Sequence, residues 1–425
     1  MNMGRTESDP PVDTATAPPP ARHPAFPALL VLAQFGLLLA VLTPVVVALS
    51  VKLSVLAPEN TEAVQGPILA VGSIMAIIAA PVFGNLSDRT TSRFGRRRPW
   101  LVGGAIAGTG ALALVGAATE IWQVFVGTAL AQLAINASTA AVGALYADQI
   151  PERLRGRIGA LIGVATNFGA IGGALIGTLL ADSIFWTFVV PGLVAVVLVT
   201  ALAAVIDDPP ADRSAIAPAS LSDIGRAFTW PVRGHRDFSV NLLSRFLIWM
   251  GYTTLIGFQT LMFIQRFGVA PQEVAVYALM ATGTAGAATL VGSVGGGWVS
   301  DRLDRRRYFV LGSGLVIGAG LVLLGLAGSV GAALLAGVVV GFGLGVYLAS
   351  DLALAARLVP DPANTGRYMG IVQLASIAPQ VLVPFAAPVL LSAGTGAPNY
   401  LLLFAAAGAV SIVGSSLMVF VRSVR

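Results

Sequence analysis

The chain has 425 residues, of which 56% are hydrophobic and 11% charged, and a mean hydropathy of +0.84, far too little polar surface to coat a soluble globule of this size. Its formal charge of +5 and pI near 10.0 would suit nucleic acid, but the basic residues fall in short loops between apolar runs, which argues against a nucleic-acid face. Cys is absent and only His23 and His235 carry imidazoles, so disulfides, thiolate nucleophiles and thiolate metal sites are excluded, and no cofactor or metal is expected.

Residues 1–27 are rich in Pro and Ala, lack an apolar core and hold Arg5, Arg22 and His23. They read as a disordered cytoplasmic tail and not as a signal peptide. Beyond them, runs of roughly 20 apolar residues, the length that crosses a bilayer, occur twelve times. Their approximate spans are 28–50, 66–86, 100–119, 121–147, 157–181, 183–206, 238–264, 275–299, 308–327, 330–357, 367–391 and 398–421.

With the N-terminus inside, Arg89, Arg93, Arg96 to Arg98, Arg153, Arg155, Arg157, Arg302, Arg305 to Arg307, Arg357, Arg367, Arg422 and the segment 207–237 all lie on the cytoplasmic side. The opposite loops keep only Lys52 and Arg266. This bias places both termini in the cytoplasm of a multi-pass protein of the cell membrane, in agreement with an even number of spans.

The second and eighth runs end alike, in Gly84-Asn85-Leu86-Ser87-Asp88-Arg89 and Gly297-Trp298-Val299-Ser300-Asp301-Arg302, 213 residues apart (297 − 84) and each before an Arg cluster. Pro151 with Gly156-Arg157 after the fourth run recurs as Pro360 with Gly366-Arg367 after the tenth, at offsets of 209 and 210 (360 − 151, 366 − 156). Self-similarity at half the chain length indicates the parallel-repeat plan of secondary carriers. The expected fold is all-α: twelve transmembrane helices in two pseudo-symmetric six-helix bundles, 28–206 and 238–421, with a cytoplasmic linker at 207–237 and a short tail at 422–425. Glycines four residues apart in the fifth run (Gly169, Gly173, Gly177) and the tenth (Gly337, Gly341, Gly345) permit close helix packing in lipid.

The loop after the second run continues Thr90-Thr91-Ser92-Arg93-Phe94-Gly95-Arg96-Arg97-Arg98-Pro99-Trp100. From Gly84 onward it resembles the loop signature of the major facilitator superfamily. Its longer Ser-Asp-Arg-x-x-Ser-Arg-Phe-Gly-Arg-Arg-Arg-Pro form is similar to that of the sucrose-type and the glycoside, pentoside and hexuronide cation symporters. Gln34-Phe35-Gly36 with Thr43-Pro44, and Ala144-Leu145-Tyr146-Ala147-Asp148, add to the likeness. A carboxylate among guanidiniums at a helix end can bridge helices by charge-assisted hydrogen bonds.

The resemblance implies a gate built from Gly84, Asp88, Arg89, Arg93, Gly95, Arg96 and Arg97, with Asp148, Glu152 and Arg155 as partners. A second copy comprises Asp301, Arg302 and Arg305 and departs from the signature at Asp304, where Gly is usual. The alternative is that these arginines only set topology.

Ionisable groups inside spans are costly, and Arg245 and Asp351 stand out. Asp351 lies nine residues before Pro360, roughly 13 Å inside the end of the tenth helix. In a facilitator-type fold the first, fourth, seventh and tenth helices line the central cavity, so the two charges are expected to meet as a pair that either titrates with transport, as a coupling pair, or closes the inner vestibule; the alternatives are snorkelling for Arg245 and a structural bond for Asp351. Gln34, Gln132, Asn136, Trp249, Tyr252, Gln259 and Tyr347, with Asn167 and Gln373 on adjacent helices, form a candidate binding set for an uncharged, hydroxyl-rich solute, or else serve helix-to-helix bonding.

Resemblance to the melibiose-type branch would call for carboxylates on the second helix, but Ser73-Ile74-Met75-Ala76-Ile77-Ile78-Ala79-Ala80-Pro81 has none, which speaks against a sodium site. Resemblance to the plant-type sucrose symporters, aligned through Asn136 and Asp148, would call for a helix-four acid where this chain has Gln132; if transport is coupled to protons, Asp351 is the group to consider instead. No His, carboxylate or nucleophile cluster supports an enzyme. The expected function is proton-coupled uptake of a sugar-like small molecule by a monomer in the bilayer; export of an apolar compound, favoured by Met250, Phe258 and Met262, and a non-transporting sensor are the alternatives.

Overall fold

The computed structural model describes residues 23–209, 235–270, 273–303, 306–358, 365–394 and 397–421. The expected tail at 1–22 and 422–425 and most of the linker (210–234) lie outside these residues, as do Asp304, Arg305 and Pro360.

Among the described residues, twelve helices are long and apolar enough to cross a membrane. They are α1 (Phe26–Thr43, continued by a π-helical turn Pro44–Ala48 and Leu49–Leu56), α2 (Thr61–Asp88), α3 (Arg98–Ala117), α4 (Ile121–Gln149), α5 (Glu152–Leu179) and α6 (Ile184–Val205). Then follow α7 (Arg236–Gln265), α8 (Val274–Leu303), α9 (Arg306–Leu326), α10 (Val330–Arg357), α11 (Thr365–Ile377 and Pro379–Leu391) and α12 (Tyr400–Ser416).

Local chemistry explains where several of these helices begin and deform. Glu120 and Gln123 form a reciprocal capping box at α4, and Ser329 and Asn399 cap α10 and α12 through their side-chain oxygens, each filling an orphan backbone donor. Two helices differ from the single runs expected. Pro44 has no N–H to give, and α1 widens there into a π turn. Pro379 breaks α11 at Ala378.

One apolar cluster draws its buried residues from Phe26 to Ile206, another from Phe238 to Val421. Large side chains left outside them, such as Val294 (75% exposed) on α8 and Leu335 (70%) on α10, would be unfavourable in water and suit a lipid-facing surface. Lys52 and Arg266, expected in the loops opposite the arginine clusters, lie instead inside Leu49–Leu56, the last stretch of α1, and at the C-cap of α7, and they are repeat-related in position and in use. Lys52 Nζ donates to Gly116 O at 2.8 Å at the end of α3, and Arg266 Nη1 donates to Gly325 O at 2.7 Å at the end of α9. Each neutralises orphan carbonyls at a helix C-terminus.

Candidate functional site

The loop between α2 and α3 turns at Gly95, whose φ of +101° lies in the left-handed region that a side chain enters only with strain. The turn aims the N–H groups of Arg97 and Arg98 at Asp208, and both donate to Oδ2 at 2.8 Å. Helix α3 has no Ser, Thr, Asp or Asn at its own N-cap, so a carboxylate from the chain just past α6 takes the orphan donors and meets the positive end of the helix dipole. Arg98 Nη2 adds a 2.7 Å bond to Ile206 O. Asp208→Ala is expected to cost about 1–2 kcal/mol, seen as a lower unfolding midpoint of the purified protein, with Asp208→Asn retaining part of the bonding.

Arg97, 3% exposed, is the hub of the candidate gate residues. It donates to Ser87 Oγ at 3.2 Å, Asp88 Oδ1 at 2.9 Å and Asp148 Oδ2 at 2.6 Å, and Arg96 reaches the same Asp148 oxygen at 2.9 Å. One guanidinium thereby ties α2, α3 and α4 within the N-terminal half. Arg89, half-buried, forms the C-cap of α2, and Arg93 stacks over the Phe94 ring at 4.8 Å; both stay outside the knot. Gly84 meets no neighbouring side chain.

The second copy is built differently. Arg302 lies over the Trp298 ring at 5.6 Å, and Ser300 accepts from Ser350 Oγ at 3.3 Å, where its repeat mate Ser87 accepts from Arg97. The side chains of Asp301, Glu152, Arg155 and Asn167 fall outside the described set.

Arg245 on α7 and Asp351 on α10 are in direct contact through Nη1 and Oδ2, and Arg245 Nε donates to Ser376 Oγ on α11 at 2.5 Å. Their side chains are only 7% and 3% exposed, and Asp351 Oδ1 has no partner. One turn along each helix, Trp249 lies beside the Tyr347 hydroxyl, yet neither polar atom completes a hydrogen bond. The Trp249 and Tyr252 rings meet edge to face at 5.6 Å.

Asn136 Nδ2 donates to Gln132 O at 2.8 Å and Oε1 at 3.1 Å, the Gln259 amide nitrogen is buried without a partner, Gln34 is half-buried and Gln373 exposed.

The end opposite the arginine loops carries a set of contacts that the sequence reading missed. Gln65 Nε2 of α2 donates to Gly257 O of α7 at 2.7 Å. Gln265 Nε2 donates to Glu62 Oε2 at 2.8 Å, and Gln265 Oε1 accepts from Tyr400 OH at 2.5 Å. Thr260 Oγ1 donates to Val46 O in the π turn, whose altered ladder leaves that carbonyl open to a second donor. Gly66 presses against the carbonyl of Pro384, and Val46, Val47, Ala174, Ala275 and Ala278 form an apolar plug between α1, α5 and α8. The halves are thus bonded together at this end, while at the other the carboxylates Asp88 and Asp148 keep 57% and 37% of their side chains in solvent.

Comparisons with known proteins agree with this architecture. An uncharacterized symporter of Synechocystis is 52% identical over 44 residues, 10% of this chain and 8% of that protein. A sucrose transport protein of Arabidopsis thaliana is 35% identical over 94 residues (22% and 17%), and the class E tetracycline resistance protein of Escherichia coli 33% over 119 residues (28% of each). The chain therefore matches less than a third of the length of each of these three relatives.

Among solved structures, a D-xylose-proton symporter superposes with a TM-score of 0.69 at 16% identity, covering 92% of this chain and 97% of that one. A nucleoside transporter does so with a TM-score of 0.72 at 11% identity, covering 93% and 99%. At such identities these two show a shared fold. The family profile itself matches residues 24–287 and 241–425, almost the whole described chain. The protein is a multi-pass membrane transporter and not an enzyme, and it belongs to the Major Facilitator Superfamily.

Proposed function

We propose that the protein takes up a sugar or glycoside together with a proton, by alternating access of its two halves to the two sides of the cell membrane. The observation that carries this reading is the Arg245–Asp351 pair: a carboxylate buried inside the spans, held by one guanidinium and with one oxygen unpartnered. A proton on the free oxygen cancels the charge that holds the guanidinium, so protonation and helix rearrangement are linked. The adjoining Trp249, Tyr252 and Tyr347 offer ring faces and donors of the kind that hold an uncharged polyol, and the local likeness to a sucrose transport protein supports that solute class.

By the distribution of Lys and Arg, the arginine loops face the cytoplasm. The bonds through Gln65, Gln265 and Thr260 then form an outer gate in its closed state. The Arg97 knot braces the inner end of the N-terminal half. When solute and proton are bound outside, closure of the outer gate commits them to the cytoplasmic side.

Proteoliposomes holding the purified protein, with an imposed inward proton gradient, should accumulate at least one member of a panel of labelled mono- and disaccharides. The accumulation should vanish when an ionophore collapses the gradient. The local match to a tetracycline resistance protein supports a second reading, proton-driven export of an apolar compound. Gradient-driven extrusion of apolar dyes with no sugar accumulation would select that reading over uptake.

A further inference from the structure

The ion pair belongs to a longer polar stripe inside the C-terminal half. Asn241, Arg245 and Trp249 follow one another a turn apart on α7, and Tyr347 and Asp351 do so on α10. Since Arg245 meets Asp351 and Trp249 meets Tyr347, the stripe extends a further turn toward the arginine-rich end at Asn241. Asn241 is 1% exposed, and neither its Nδ2 nor its Oδ1 has a partner; the Oγ of Ser239 and Oδ1 of Asp351 are likewise buried and unpaired. Around them the packing is apolar, with Leu242, Ile248, Leu354 and Ala355 all buried.

A buried amide with four unfilled hydrogen-bonding sites is a poor choice for packing alone. At the mouth of the stripe Phe238, 2% exposed, and Tyr368, 9% exposed, meet edge to face at 5.4 Å. Trp249 and Tyr347 at one end of the stripe adjoin the candidate solute site, whereas its other end, at Asn241 and Phe238, is buried among the helices of the C-terminal bundle.

We propose that Asp351 exchanges its proton with the cytoplasm through the interior of the C-terminal bundle, along Asn241 and past the Phe238/Tyr368 pair, and not through the solute cavity. The inference rests on Asp351 being the coupling group. On release, the carboxylic O–H bond breaks, the carboxylate re-forms its pair with Arg245, and water oriented by the Asn241 amide carries the proton to bulk solvent at the Tyr368 side. Asn241 acts here as a positioning residue. Among the described residues Asp351 meets Arg245 from α7, which is bonded in turn to Ser376 from α11. Tyr347 stands one turn back on α10 and Asn241 one turn before Arg245 on α7, α11 carries Tyr368, α8 brings Ser300 to Ser350 beside Asp351 in the chain, and α9 carries no ionisable group beyond Arg306, Arg307 and Tyr308 in its first turn.

The test needs no transported solute. Infrared spectra of the full-length protein in membrane films, recorded as pH is lowered, should show a carboxylic C=O band that is lost in Asp351→Asn. After a pH jump, that band should grow about tenfold or more slowly in Asn241→Leu than in wild type, near the wild-type rate in Asn241→Ser, and faster in Phe238→Ala. Unchanged rates in Asn241→Leu and Phe238→Ala would overturn the internal route, and if Asn241→Leu does not fold, the Phe238→Ala rate decides alone. Absence of any Asp351 band at all pH values would instead remove the coupling role of Asp351, a different failure from that of the route.

Discussion

Replacing Arg245 alone by Met, or Asp351 alone by Leu, should destabilise the protein by about 3–5 kcal/mol, whereas replacing both together should recover most of that loss. The asymmetry follows from burial. With side chains 7% and 3% exposed, neither charge can fall back on water when its partner is removed, so each single variant strands an uncompensated ion inside the spans. The double variant removes both desolvation costs together. Its remaining deficit is the Ser376 bond to Arg245 Nε, about 1 kcal/mol.

The Arg97–Asp88 pair makes the contrast. There the carboxylate side chain is 57% exposed, and Asp88→Asn is expected to cost no more than about 1 kcal/mol. Unfolding titrations of the four proteins of the Arg245/Asp351 cycle in mixed micelles check this. Additive losses in the double variant would mean that the two side chains do not interact.

The second large effect concerns the outer gate. Gly66→Val should open it in most molecules, because a side chain there would occupy the place of the Pro384 carbonyl, and backbone cannot swing aside as a flexible side chain can. Gln65→Leu should act more gently. Loss of its bond to Gly257 O, worth about 1 kcal/mol, changes the ratio of closed to open molecules by roughly fivefold.

Because the chain has no native Cys, spin labels can be placed cleanly at Asp182→Cys and Gly328→Cys, one in each half on the outer side. The distance between them should lengthen in most Gly66→Val molecules and in a minority of Gln65→Leu molecules. An unchanged distribution in Gly66→Val would show that these contacts do not hold the halves together.

Much of this was legible from the residues alone, and for identifiable reasons. Twelve spans follow from hydropathy because lipid demands it, and repeats such as Ser87-Asp88-Arg89 and Ser300-Asp301-Arg302 point to the family fold. Arg245 and Asp351 stood out because charges inside spans are rare enough for two to be paired by inspection.

What escaped was chemistry without local signal. Gln65 and Gln265 read as polar residues near span ends, and their partners lie 192 and 203 positions away. Asp208 sits at the start of an acidic, Pro-rich segment that looked like linker. The clue was at α3, which begins Arg97-Arg98-Pro99 with no capping side chain of its own and so needs one from elsewhere. Lys52 and Arg266 counted against the charge bias until α3 and α9 were seen to end on them. The prominence of Arg89 in the loop signature drew attention from Arg97, which reaches α2 and α4 together.

The central claim, solute uptake obligately joined to a proton through Asp351, is tested most directly by sugar-induced proton movement. An accumulated sugar from the panel is added to lightly buffered, de-energised proteoliposomes while the external pH is followed. Alkalinisation of the medium with wild type, abolished in Asp351→Asn while sugar exchange between the two sides persists, is the predicted result. Sugar entry with no change of pH, or the same alkalinisation in Asp351→Asn, would contradict it.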